Sequence, residues 1–251
     1  MKIANKILLI AFGVVVLAIF AIMLTIRIEL SKDAIEGSGI IISESRDTVS
    51  FSGIEVSGNF SVHISQGNHH SITVYADDNL LEHIRTDINR DNLIISADKR
   101  FRGNESPRII IELSELETID AAAGSKIYAE EAIHGKELSL ELRSGAEGKL
   151  SLFYEKIDID VKTGSTAILN GTVDMLIANG TTGSTLDAKN LKSVNCFVTS
   201  KSGSQSNVFV TGQLTAQSSS GGIIRYTGNP VQKAESIRGG GVIISYSETR
   251  D

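Results

Sequence analysis

One short pattern returns seven times between Leu116 and Ser247, each time around a glycine with small neighbours. The copies are Ala123-Gly124-Ser125, Ser144-Gly145-Ala146, Thr163-Gly164-Ser165, Thr182-Gly183-Ser184, Ser202-Gly203-Ser204, Ser220-Gly221-Gly222 and Gly239-Gly240-Gly241. Subtracting the positions of successive central glycines gives spacings of 21, 19, 19, 20, 18 and 19 residues. A fixed period near 20 marks a repeat architecture, in which a unit too short to bury its own face stacks on copies of itself.

Steps of two around each glycine test for strands, because strand side chains alternate faces. Seven residues before it stand Leu138, Ile157, Leu176, Cys196 and Leu214. Five before stand Ile119, Leu140, Ile159, Ala178, Val198 and Ala216; three before stand Ala121, Leu142, Val161, Gly180, Ser200, Ser218 and Ile237. The residue after the glycine is always small, and five after it come Ala129, Leu150, Leu169, Ala188, Val208, Tyr226 and Ser245. Polar residues fill the gaps, as in Glu137-Leu138-Ser139-Leu140-Glu141-Leu142. Apolar residues two apart do not make a 3.6-residue stripe, and Gly, Ser, Thr and Asn at this density disfavour helix interiors. Each repeat therefore carries two short strands meeting at a small-residue corner, where glycine answers either to φ > 0 or to close packing. Stacked ~4.8 Å apart, such rungs build an all-β, single-stranded parallel β-helix of about seven regular rungs, roughly 30 Å long. The general handedness of parallel crossovers makes it right-handed.

The N-terminus reads differently. Lys2 and Lys6 precede twenty residues without a charge, Ile7 to Ile26. As a helix this run is ~30 Å long, the thickness of a bilayer's hydrocarbon core. Met23-Leu24-Thr25-Ile26-Arg27 offers no small-x-small cleavage site, so the run is expected to be an uncleaved anchor rather than a signal peptide. Positive charge ahead of it puts residues 1–6 in the cytoplasm and the chain beyond Arg27 in the periplasm or outside the cell. Residues 27–47 read as a stalk that starts pairing near Ile40-Ile41-Ile42, 48–247 as the β-helix domain, and 248–251 as a tail. Within the domain's irregular N-terminal cap, Gln66-Gly67-Asn68 predicts a hairpin-like turn, and Asp77-Asp78-Asn79 predicts the cap of a short helix running to about Arg85.

The stretch Phe51-Ser-Gly-Ile-Glu-Val-Ser-Gly-Asn-Phe-Ser-Val-His-Ile-Ser-Gln-Gly67, then Asp78-Asn79-Leu80-Leu81, then the recurring Ser/Thr-Gly-Ser corners resembles the putative auto-transporter adhesin head GIN domain family over about residues 48–247. The resemblance implies a bacterial envelope protein with a β-helical domain and an adhesin-like role without a defined ligand or active site. It carries over no catalytic residue. Members of that family are often exported with a lipidated cysteine, in place of which this chain has its apolar N-terminal run.

The formal charge of −6 speaks against nucleic acid, which calls for a basic footprint. No tryptophan is present, so no strong carbohydrate-stacking platform is advertised. The corner glycines lack a Walker-type Lys-Ser/Thr pair and the calcium-binding nonapeptide of β-rolls, and no cofactor motif is found. A single cysteine, Cys196, excludes an intrachain disulfide, and its inward column makes it a buried small hydrophobe. His69-His70 reads as a solvated turn.

One outward constellation invites a sharper reading. Four residues before the corner glycine stand Asp120, Glu141, Asp160 and Asn179 on consecutive rungs, with Asp158 beside Asp160. Carboxylates stacked ~5 Å apart repel one another unless something offsets the charge. Arg143 and Lys162, two before the glycine, can do so; a bound cation such as Ca²⁺ or an acid/base pair acting on polysaccharide are the other accounts.

The function expected from all this is non-enzymatic: a membrane-anchored envelope protein whose β-helical surface serves adhesion or binds an envelope protein or glycan partner. A polysaccharide lyase or hydrolase, or a self-assembling envelope scaffold, are the alternatives. Against the enzyme stands the lack of long insertions between corners, where solenoids usually carry grafted function. The sequence sets no oligomeric state.

Overall fold

The computed structural model describes residues 3–32, 34–103 and 106–246. The helix α1 (Ile3–Lys32) carries the charge-free run, with side chains described at Ile3, Asn5 and Ile10–Thr25. Among the described residues no helix is long and apolar enough to cross a membrane. Those side chains lie bare on every side of the helix: Phe12, Leu17, Phe20 and Met23 are 64–68% exposed.

The rest of the chain is β-structure. The cap comprises β1 (Ala34–Glu36), β2 (Ile41–Arg46), β3 (Gly53–Ser57), β4 (Ser61–Gln66), β5 (Ser71–Asp77), β6 (Ile84–Asn89), β7 (Asn92–Ala97), β8 (Arg100–Arg102) and β9 (Arg108–Leu113). The repeats comprise β10 (Thr118–Ala122), β11 (Lys126–Leu142), β12 (Glu147–Lys162), β13 (Thr166–Thr181), β14 (Thr185–Lys201), β15 (Gln205–Val210), β16 (Gln213–Ser219), β17 (Ile223–Thr227), β18 (Gln232–Arg238) and β19 (Val242–Ser245). Parallel pairing stacks them into a solenoid of about seven turns. One side runs β7, β3, β10, then the second halves of β11 to β14, then β16 and β18. Another runs β9, β4, the first halves of β11 to β14, then β15, β17 and β19.

Each corner is a two-residue turn in which both central residues have positive φ, for example Thr163 at 51° and Gly164 at 69°. Ser165 N–H closes it on the Lys162 carbonyl at 3.2 Å, which is the type I′ pattern. Of the two reasons for glycine, φ is the operative one: a Cβ on Gly124, Gly145, Gly164, Gly183, Gly203, Gly221 or Gly240 would meet nothing within 4 Å. The residue ahead of the glycine is left-handed too, at Ala123, Ser144, Thr163, Thr182, Ser202 and Ser220. For a β-branched threonine this costs on the order of 1–2 kcal/mol. A second backbone ladder offsets the strain. The corner N–H of Gly145 donates to Thr163 O at 3.1 Å, Gly164 to Thr182 O at 3.1 Å and Gly183 to Ser202 O at 3.0 Å.

The inward columns are those the alternation predicts. Leu140, Ile159, Ala178, Val198 and Ala216 stack in register and are buried to 1% or less. Cys196 sits between Leu176 and Leu214, and burial pushes its thiol up to about 12. The long strands also bend midway and send in a third set that the corner-centred pattern does not contain: Ile133, Leu152, Tyr154, Val173 and Leu191. Tyr154 donates its hydroxyl to Leu116 O at 2.8 Å. Its ring fits because its in-register neighbour is Gly135, where a Cβ would stand 2.4 Å from the ring.

The cap departs from expectation twice. Gln66-Gly67-Asn68 does not join a hairpin, because β9 lies between its two strands, parallel to β4 and antiparallel to β5. Asp77-Asp78-Asn79 does not cap a helix reaching Arg85; only Leu81–His83 form a single 3₁₀ turn, without a side-chain cap. Those side chains hold the preceding segment instead. Asp77 Oδ1 accepts from Gly39 N–H at 2.9 Å, and Asn79 bonds Ser38 N and Glu36 O. Residues 34–46, within the expected stalk, thus run along the cap as β1 paired with β8 and β2 paired with β5.

At the far end, among the described residues, β18 and β19 form the last rung; Ile243 still packs beneath Ile224, but the columns through Leu214 and Ala216 lose their apolar side chains. Beneath Leu214 and Ala216 stand Lys233 and Glu235. Lys233 Nζ donates to Tyr226 Oη at 3.3 Å, and that hydroxyl donates to Glu235 at 3.1 Å. The expected tail, 248–251, lies outside the described residues.

Two outcomes test this account. Gly164→Ala should lower the melting temperature of the full chain in detergent, by an amount equivalent to about 1–2 kcal/mol, while Thr163→Gly should raise it; equal effects of the same sign would refute a φ-based role. Cys196 in the native chain should resist a thiol reagent near pH 8 and react fully once unfolded, whereas rapid native labelling would contradict its burial.

Candidate functional site

Outward positions repeat on every rung, so side chains of successive rungs stack in columns. The acidic constellation is such a column: Asp120, Glu141, Asp160 and Asn179 are in register. Arg143 grips Asp120 with two nitrogens, Nε to Oδ1 at 3.2 Å and a terminal nitrogen to Oδ2 at 3.1 Å. Lys162 lies between Glu141 at 3.0 Å and Asp160 at 2.7 Å, and Asn179 Nδ2 donates to Asp160 Oδ1 at 3.0 Å. Asp158 belongs to the neighbouring column, between Ser139 and Ile177. Among the described residues no three potential metal-ligating side chains converge.

The electrostatics follow from this alternation of sign. The Asp120 carboxylate beside Arg143 raises the guanidinium's pKa. The hydrogen bond that Lys162 donates to Asp160, and then the one it donates to Glu141, hold its ammonium above the ordinary 10.5 against the opposing effect of burial. Both cations are at least a third exposed, so each pair contributes at most about 1 kcal/mol. What the column does chemically is neutralise its own carboxylates and fix an outward row of heteroatoms at rung spacing.

Beside it a groove of about 850 Å³ follows the bend of the rungs, lined in part by Gln66, Glu117, His134, Glu137, Lys156 and Asp158. Gln66 staples its rim: Nε2 donates to Ser114 O and His134 O, and Oε1 accepts from His134 N, each at 2.9 Å. Lys156 reaches Glu137 at 3.1 Å one rung away. The His134 ring stacks on Phe153 with centroids 5.0 Å apart, and His63 stacks on Tyr128 at the same separation. Sequence reading missed these aromatic pairs. His134 and Phe153 are 19 residues apart, one repeat, and that spacing was the available signal. Of the turn histidines, His69 is exposed, while His70 bonds Phe51 O at 3.2 Å and meets the Phe51 ring edge-on.

Comparison with known proteins agrees with this geometry. The sequence model of the family described as putative auto-transporter adhesin, head GIN domain, matches residues 50–230. No curated protein matches the chain. Among solved structures, a putative adhesin from Bacteroides fragilis NCTC 9343 superposes with a TM-score of 0.79 at 20% identity, covering 84% of this chain and 100% of that one. A putative adhesin from Parabacteroides merdae ATCC 43184 gives 0.69 at 19% identity, covering 85% and 99%. A putative lipid binding protein from Parabacteroides distasonis ATCC 8503 gives 0.61 at 15% identity, also covering 85% and 99%. At these identities the likeness establishes a shared solenoid fold.

The ion-pair column makes a pH prediction whose sign is fixed. Because Lys162 is raised in the folded state, its stabilisation is complete below the ordinary 10.5 and is lost as pH rises through the higher folded value. The gap in melting temperature between the native chain and Lys162→Met should hold steady below about pH 10 and close above it. A gap that persists in strong alkali would show that Lys162 acts by packing rather than by charge.

Proposed function

Because this chain belongs to the putative auto-transporter adhesin, head GIN domain family, we propose that it is a non-enzymatic adhesion module of the bacterial envelope, held at the membrane by residues 7–26. The observation that carries the reading is the repeated corner. The turns from Ala123 to Ser204 are the same two-residue turn, so the outward columns leading into them stay in register from rung to rung. A surface that repeats at ~4.8 Å suits a long partner, a glycan or an extended protein segment, better than it suits a single reacting bond. The carboxylates best placed for acid/base work are engaged by Arg143, Lys162 and Asn179, which supports binding over catalysis.

The anchor follows from the same physical reasoning. A helix apolar on all sides is stable only when something apolar surrounds it, and the described side chains of α1 have no protein cover. Lipid supplies that cover. Lys2 and Lys6 orient residues 1–6 to the cytoplasm, and the solenoid stands in the periplasm or outside the cell.

The reading is tested in intact cells carrying the full chain. Alkaline carbonate should leave it in the membrane pellet. In a Cys196→Ala background, Lys189→Cys should label with an impermeant maleimide in spheroplasts and Lys2→Cys only after lysis. The same cells should be retained on surfaces coated with envelope glycan or envelope protein more than cells lacking the chain. Release by carbonate, or labelling of Lys2→Cys from outside, would remove the anchor; equal retention would remove adhesion.

A further inference from the structure

A second cavity, of about 440 Å³, opens where the cap meets the solenoid. Its floor is one transverse row of the sheet, in which Tyr75, Arg108, Ser61 and Lys126 stand side by side on β5, β9, β4 and β11. Two residues along, the next row holds Ile110, His63 and Tyr128. Strand alternation turns both rows outward, since Val62, Ile109 and Ile127 between them are wholly buried.

The chemistry of the two rows is uneven for a chain of charge −6. Arg108 and Lys126 flank Ser61 in one column, two strand spacings apart, or about 10 Å. Serine is the smallest side chain in its row, so the two cations wall a dip rather than a ridge. Arg108 is set in place by stacking 4.8 Å over the Tyr75 ring, and Tyr128, stacked on His63, borders the same dip. His63 Nε2 lies 3.1 Å from Ser61 Oγ. Burial, then the nearby Arg108 charge, keeps that imidazole below its ordinary 6.5, so it is neutral at pH 7. Among the described residues the one carboxylate lining the cavity, Asp77, is turned to the Gly39 amide, and Glu147 stands in the same row beyond Lys126, outside the lining.

We propose that this dip is the seat of an acidic saccharide unit, its carboxylate held over Ser61 between Arg108 and Lys126 and its ring against Tyr128. Two cations about 10 Å apart can close on one anionic group from opposite sides, each through charge-assisted hydrogen bonds. An aromatic row beside the cations favours a ringed ligand over a bare ion. The inference rests on the adhesion reading and gives it a ligand class.

The test is calorimetric titration of the full chain in nonionic detergent with a hexamer of galacturonic acid, against a neutral glucose hexamer, inorganic phosphate and phosphatidylglycerol vesicles. The acidic hexamer should bind saturably and weaken with salt. Arg108→Ala and Lys126→Ala should each reduce affinity roughly tenfold. Ser61→Tyr should abolish binding by filling the dip with the charges intact, and all three variants should keep the native melting temperature. Absence of saturable binding, undiminished binding by the variants, an equal response to the neutral hexamer or to phosphate, or preference for the vesicles would each overturn the proposal. Cells carrying Arg108→Ala that still adhere while the hexamer fails to bind would leave the adhesion reading standing and remove only this seat.

Discussion

Every regular rung from β10 onward depends on one backbone arrangement, the pair of left-handed residues at the corner. Without it the chain could not reverse toward the next face within two residues, and the strands would not return in register one repeat later. The conformation is unfavourable for the threonines and serines that adopt it, and it is supported because the corner amides from Gly124 to Gly203 each bond the corner carbonyl one rung on. The cost is local and the compensation comes from the neighbouring rung, so a corner is stable only inside a stack. This is the cooperativity expected of a solenoid, read at single residues.

Register then decides everything else. A slip of one residue would exchange the inward and outward faces along a strand, burying Asp160 and Lys162 while exposing Ile159 and Val161. The ion-pair column contributes little energy by itself, yet its alternation of sign fits one pairing of the rungs and penalises the shifted ones. The same regularity produces the outward rows, including the two that set Arg108, Lys126 and Tyr128 around Ser61. The charge pattern and the candidate ligand surface therefore both derive from strand periodicity.

Much of this was legible in the sequence. Steps of two from each corner glycine find the columns through Leu140, Ile159 and Val198, and the family resemblance over residues 48–247 accords with the match at 50–230. The third inward set was not legible, and the reason is physical. Register shifts between Ala129 and Ala132, Ile168 and Asn170, and Ala188 and Lys192 insert extra residues at the bends. Counted forward from the glycine, Ile133, Leu152 and Leu191 therefore drift between seven and nine residues, and counted back from the next one they stand at an even offset of twelve, out of step with the columns at seven, five and three. The cap hid its topology for another reason: nothing local in Gln66-Gly67-Asn68 shows that a strand forty residues later will enter between its two arms. The aspartates at 77 and 78 have the composition of a helix cap, but they bind residues 38 and 39, a long-range contact that no local rule contains.

The last rung has a consequence for how long the molecule can be. With Lys233 and Glu235 where aliphatic side chains would otherwise point, a further copy stacked beneath would have to strip water from two charges, at several kcal/mol per ion. Termination is thus encoded in two residues at one extremity, separately from the elongation signal carried by the corners. A whole coil could be duplicated or excised near the centre of the rod and this extremity would keep the same two charges. Length in such a molecule is adjustable in steps of one coil, while the charges at its end stay fixed.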